Sequence, residues 1–165
     1  MENQSKLDAL THFFAAMDGL RDKGTLTNQK ELTGQHGEWL VEVIFDGKRA
    51  ESGVEKGWDV DITGYRIQVK THAKYDTNPT SWTPLGNPAI GIADELIIIV
   101  FTKAYKLKSF YRIPWEQAIQ IARETVSKKD GKTTVKHKIH WKDITRYAQD
   151  IGTLPKQDII SFFLT

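Results

Sequence analysis

Apolar positions along the chain change period several times, and each change marks an element. Between residues 5 and 21, Leu7, Leu10, Phe13, Phe14, Met17 and Leu20 recur at three- and four-residue steps, which predicts an amphipathic helix with its stripe in the core and Gly24 as its stop. Residues 25–34 are polar and turn-like. A second helix is expected over about 35–45, with Leu40, Val41, Ile44 and Phe45 facing inward and Asp46-Gly47 ending it. The period then becomes two: Val60 and Ile62 alternate with Asp59 and Asp61, and Ile67 and Val69 alternate with Arg66, Gln68 and Lys70. Thr63-Gly64 between these runs predicts a β-hairpin. With Ile62 opposite Tyr65, counting outward places Asp61 opposite Arg66, Val60 opposite Ile67 and Asp59 opposite Gln68, and Lys70 follows two residues on along the same face.

Residues 75–93 carry Pro79, Pro84, Pro88, Gly86 and Gly91, which predicts a long loop without a regular element. Its Tyr75 and Trp82 either stack on a base or sugar or tuck back onto the core. ELIIIVFT within 94–102 reads as a strand buried on both faces, followed across Lys103-Ala104-Tyr105 by an antiparallel strand over 106–112. Ile113-Pro114-Trp115 opens a helix that buries Trp115, Ala118, Ile119 and Ala122. Asp130-Gly131 predicts a second hairpin, with arms over 124–129 and 132–141. Two short helices, 142–151 and 155–163, follow; their stripes (Ile144, Tyr147, Ile151; Ile159, Ile160, Phe162, Phe163) either close the core or form a homodimer surface. The sum is an α/β fold, a mixed central sheet flanked by helices. It forms a single domain with its core over about 35–124, to which the second hairpin and the C-terminal helices of 125–165 are added.

Composition narrows the chemistry. The 165 residues are 39% hydrophobic and 27% charged, as in globular proteins with a real core. There is no cysteine, so disulfides and thiolate metal sites are excluded, and a cytoplasmic setting is expected. The longest apolar run, 96–101, is too short to cross a bilayer. Net charge is only +2, so attraction to nucleic acid has to come from local clusters. The densest cluster is the second hairpin, with Lys128, Lys129, Lys132, Lys136 and Lys138, which either lies along a phosphate backbone or is solvated surface. His137 and His140 within it stand too close together on one strand to be nominated as zinc ligands.

The first hairpin gathers an acid, an amide and a lysine on one face. Such a set suits metal-assisted phosphodiester hydrolysis: Mg²⁺ prefers oxygen ligands, keeps several waters, and needs only one or two carboxylates besides the substrate phosphate. A lysine alongside positions or activates water, or balances developing negative charge. The same three residue types are also ordinary on the solvent face of a sheet. On the second helix Glu38 and Glu42 are four apart and share a face, so one of them can reach towards Asp59 if that helix packs on the hairpin.

Gly57-Trp58-Asp59 on the first strand with Gln68-Val69-Lys70 on the second resembles the PD-(D/E)XK nuclease superfamily, the restriction-endonuclease-like fold, in its D…QxK variant. Gly37-Glu38-Trp39-Leu40-Val41-Glu42 resembles the helix that brings that superfamily's additional glutamate, and the 49–53 segment leads from it into the hairpin. The resemblance spans roughly residues 34–74. It implies a Mg²⁺- or Mn²⁺-dependent endonuclease acting on DNA. Asp59 is then the principal metal ligand, Gln68 a weaker one through its side-chain carbonyl, and Glu38, with Glu42 in reserve, a ligand or an acid behind the ligands. Lys70 becomes the residue that positions or activates water. His72 is then a phosphate contact, and Lys74 and the lysine-rich hairpin hold the backbone. Gln68 stands where the superfamily usually has an acid, and no proline precedes Asp59. These departures carry the alternative expectation, a catalytically inactive nucleic-acid-binding or assembly module with the same fold.

Overall fold

Seven successive residues buried on both faces, 95–101, build the middle of this protein. The structure, a computed structural model, describes residues 2–27, 32–51, 57–78 and 81–164. In chain order these form helices α1 (Glu2–Asp22) and α2 (Leu32–Ile44), then strands β1 (Lys48–Arg49), β2 (Val60–Ile62), β3 (Tyr65–Ala73), β4 (Trp82–Gly86), β5 (Glu95–Phe101) and β6 (Leu107–Pro114). Helix α3 (Trp115–Ile121), strands β7 (Arg123–Lys129) and β8 (Lys132–His140), three short 3₁₀ turns and helix α4 (Gln157–Phe162) complete the chain.

Strands β1, β2, β3, β5 and β6 pair in that order, with β3 and β5 parallel and the other neighbours antiparallel. Alternate side chains of β5 serve opposite faces. Ile97, Ile99 and Phe101 join Leu40, Val41 and Ile44 of α2 and Ile160 and Phe163 near the C-terminus, while Leu96, Ile98 and Val100 join Trp115 and Ala118 of α3 with Leu85, Ile139 and Trp141. The core is therefore not confined to residues 35–124. Ile139, Trp141, Ile144, Leu154, Ile160 and Phe163 belong to it, and Leu107 N–H is bonded to Phe163 O at 2.8 Å. Of the two readings of the C-terminal stripes, core closure describes Ile144, Ile160 and Phe163, whereas Phe162 stays exposed.

Three sequence expectations are corrected. Residues 82–86 of the expected loop are strand β4, which pairs antiparallel with β8 in a second, three-stranded sheet ordered β4-β8-β7. Pro84 is tolerated because β4 is an edge strand, where a missing N–H leaves no ladder bond unmade. The expected helix over 142–151 is instead the 3₁₀ turns Trp141–Asp143, Thr145–Tyr147 and Ile151–Thr153, with Ala148 bridged to Tyr111 of β6. That bridge and the Gln149 N–H to Phe110 O bond (2.8 Å) hold the backbone out flat against β6. The third correction concerns α1. Residues 4–16 are exposed, including Leu7, Leu10, Phe13 and Phe14, so its stripe is not in the core. The sheet face it would have covered is already filled by α2 and α4.

Glu95 opens β5 as a buried carboxylate, 4% exposed, gripped by Arg112 through a two-point fork (Nε–Oε1 2.5 Å, Nη2–Oε2 2.8 Å). The fork raises the Arg112 pKa further and ties β5 to β6. Arg112→Ala strands that carboxylate, and urea denaturation should show a loss of about 3 kcal/mol. Deleting residues up to Ala16 should, in contrast, move stability by no more than about 0.5 kcal/mol, since exposed positions contribute little. A larger loss would mean that the α1 stripe is covered within the molecule.

Candidate functional site

The two arms of the first hairpin differ in length, and the site lies where the short arm stops. The register is Ile62 with Tyr65, Asp61 with Arg66 and Val60 with Ile67, as counted from the turn. Gly57 at φ +91° swings the chain into β2, and Trp58 packs against the core beneath. Asp59 sits just before β2, with its N–H bonded to Ile67 O at 2.8 Å. From Gln68 onward no strand among the described residues pairs with β3 on this edge, and the Asp59 carboxylate takes that place. Oδ2 accepts the Val69 N–H at 2.7 Å and a hydrogen bond from Gln68 Nε2. The juxtaposition of Asp59 and Gln68 is therefore formed, through the amide nitrogen of Gln68. Asp59 Oδ1 makes no hydrogen bond among the described residues.

Burial pushes the Asp59 carboxyl above the usual carboxylate range, while the Val69 N–H and the charge of Lys70 pull the other way. A group held this way is poised to take up positive charge. The donor set fits a loosely held hard divalent ion: the second oxygen of Asp59 and, if its amide turns, the carbonyl of Gln68, with water and phosphate for the remaining positions. Among the described residues there is no cluster of three or more His, Asp or Glu side chains that would cage a metal without substrate.

Helix α2 packs on β3 at one point of closest approach, where Gly37 meets Thr71 and an added Cβ would overlap that side chain. Glu38 follows directly and is half-buried. Glu42, the reserve acid, is committed elsewhere: it binds Arg49 Nε at 2.8 Å and Arg49 N–H at 3.2 Å, and the same arginine reaches Thr25 O at 3.0 Å. Arg49 of β1 therefore ties α2, through Glu42, to the turn that follows α1. Gly53 and Lys56 at the start of the hairpin stretch lie outside the described residues.

Lys70 and His72 continue the row begun by Gln68 on β3 and Lys74 follows just past the strand's end, all half-buried. His72, expected at the phosphate, is turned inward: its Nε2 is 2.9 Å from Thr83 Oγ1 and its ring centroid 5.5 Å from that of Trp141. Trp141 Nε1–H donates to the same Thr83 hydroxyl at 2.9 Å. This buried threonine thus joins the small sheet to β3. Lys74 Nζ lies 5.6 Å from the Trp82 ring and 5.8 Å from that of Trp141, and Lys138 Nζ lies 4.0 Å from the Trp82 ring.

The lysine-rich hairpin forms around Asp130-Gly131, both with positive φ as a tight two-residue turn requires. Its lysines divide between two faces. Lys129, Lys132, Lys136 and Lys138 alternate onto the face shared with Trp82, by the pairings Lys129 with Lys132 and Pro84 with Lys138. Lys128 falls on the other face with Val126, Val135 and Ile139. Thr83, Trp141 and the strand holding Trp82 were not singled out as parts of a site from sequence. Ser81, Thr83 and Leu85 are buried and Trp82, Pro84 and Gly86 exposed, a period of two that the residue types themselves do not show.

A scan against models of known protein families finds no match, and no curated protein sequence matches the chain. Among the described residues no helix is long and apolar enough to cross a membrane.

The Thr83 tie makes stability depend on His72. Burial, helped by Lys74 and Lys70, lowers its pKa from 6.5 to about 4. Below 6.5 the unfolded chain takes up a proton that the folded one refuses, so stability present above pH 6.5 drains away as pH falls towards 4. Thermal melts from pH 7.5 to 4 should show this decline, and in His72→Gln it should be flattened.

Proposed function

We propose that this protein is a metal-dependent endonuclease of the restriction-endonuclease-like fold that hydrolyses DNA phosphodiester bonds. The observation that carries the reading is the Asp59 carboxylate, held between the two hairpin arms by Val69 and Gln68, with its pKa raised by burial and Lys70 beside it. Mg²⁺ or Mn²⁺ held by Asp59, with Gln68 and Glu38 as the accessory groups, supplies Lewis acidity at the phosphate. Asp59 fixes one oxygen for binding because its other oxygen is already satisfied. Gln68 orients that carboxylate, and Lys70 positions the attacking water or balances charge on the phosphate. Lys74 and the Lys129, Lys132, Lys136 and Lys138 face hold the nucleic-acid backbone without reading sequence.

A second reading is favoured by one specific observation. Gln68 presents nitrogen, not oxygen, to Asp59, which leaves a single carboxylate at the centre. A nucleic-acid-binding or assembly module with this fold and no turnover has the same geometry.

Three measurements separate them. Titration calorimetry should show Mg²⁺ and Mn²⁺ binding that Asp59→Ala abolishes and that weakens as pH falls through the raised Asp59 pKa, because the proton competes for the same oxygen. Plasmid nicking should fall about 100-fold or more in Lys70→Ala, and remain at background in Asp59→Ala, with both variants folded. Gln68→Glu is the sharper probe. It replaces a donor to Asp59 by a second carboxylate, so the metal-free protein should lose about 1–2 kcal/mol and regain it when Mn²⁺ is added. A loss that metal does not repair removes Gln68 from the metal site.

A further inference from the structure

Trp82 is the one tryptophan among the exposed large hydrophobic residues, and it is mounted on rigid backbone. Its strand is paired to β8, with Trp82 opposite His140, and the neighbouring residue Thr83 is fully buried and bonded to His72 of β3. Trp141, which shares that threonine, is 4% exposed and braces the arrangement from below. Trp82 is 36% exposed, and Lys138 and Lys74 lie 4.0 and 5.6 Å from its ring. An exposed indole with two ammonium groups close to its ring complements a nucleotide, which carries a flat π surface beside a negative charge.

The position along the site matters as much as the chemistry. Gln68, Lys70 and His72 follow one another on one face of β3 and Lys74 lies just past its end, so Lys74 is four residues, or about 13 Å, beyond Lys70. This is the reach of a few nucleotides. His72 between them is neutral and covered by Thr83 and Trp141, so the second sheet interrupts the row there and it emerges again at Lys74, beside the Trp82 ring. In an intact duplex the bases are stacked on one another and their faces are closed to an indole. A single strand offers them.

We infer that Trp82, with Lys74 and Lys138, docks an unpaired nucleotide of the strand whose phosphate lies at Asp59, and that the substrate class is single-stranded DNA or duplex DNA with a single-stranded stretch. The inference rests on the nuclease reading for the strand's path past Asp59, but binding at Trp82 is measured without metal. The Lys138 ammonium, which lies over the ring in the free protein, moves off it to a flanking phosphate as the base stacks on the indole, and Lys74 pairs with the other phosphate.

The test is fluorescence anisotropy with a labelled oligo-dT single strand and a duplex of the same length, in EDTA and low salt. Wild type should prefer the single strand. Trp82→Ala should weaken single-strand binding about 10-fold or more and leave duplex binding nearly unchanged, while Trp82→Phe restores most of it. Lys138→Gln should reduce the salt dependence by roughly one phosphate contact. Because this titration is run in EDTA, a failed metal titration and a failed oligonucleotide titration report on different claims. Equal single-strand affinity in wild type and Trp82→Ala overturns the inference, as does wild-type preference for duplex. Polyglutamate of matched charge competing as well as oligo-dT would reduce the face to a charge patch and overturn it too.

Discussion

The hydrogen bond from the Val69 N–H to Asp59 Oδ2 organises this molecule, because it closes a strand edge with a carboxylate. Strand β2 is three residues long and β3 nine, so most of β3 would otherwise present bare backbone donors on that side. One side chain satisfies the first of them and, in doing so, is fixed at the point where the hairpin opens. Its burial is a cost of that duty, and the raised pKa is the expression of the cost. Structural need and chemical readiness thus fall on the same atom.

The second sheet has the complementary task of holding an aromatic and cationic surface in register with that edge. It could have been an independent flap. Thr83 prevents this, since one buried hydroxyl serves both the His72 ring and the Trp141 indole. Leu85, Ile139 and Trp141 add apolar contact with the β5 face, so the sheet is anchored at its base while the β7–β8 turn projects into solvent. A rigid root and an exposed tip suit a surface meant to lie along an extended partner.

How much of this was legible in the sequence depends on how local each determinant is. Thr63-Gly64 fixes the register of the first hairpin within a few residues, so Asp59 and Gln68 could be placed together by counting. The apolar run of β5 and the Asp130-Gly131 turn are equally local. Strand β4 was hidden because Pro84 reads as a breaker unless the strand is known to be an edge, which depends on β8 more than fifty residues away. The stripe of α1 has the spacing of a core helix, yet whether a core is free to receive it is decided by α2 and α4. The residues over 142–151 carry a helical spacing, but their backbone is claimed by β6. His72 was given a phosphate because it shares a face with Lys70; its real partner sits on the strand that could not be seen.

The contact between Gly37 and Thr71 has one more implication. Only the Thr71 side chain lies between α2 and β3 there, and its hydroxyl is buried without a hydrogen-bond partner among the described residues. The helix is set by steric contact alone at the level of the Lys70–His72 stretch. Residue size at these two positions is therefore a single shared quantity: among descendants of this sequence, a larger residue at 37 is compatible with the same helix placement only where 71 has become smaller.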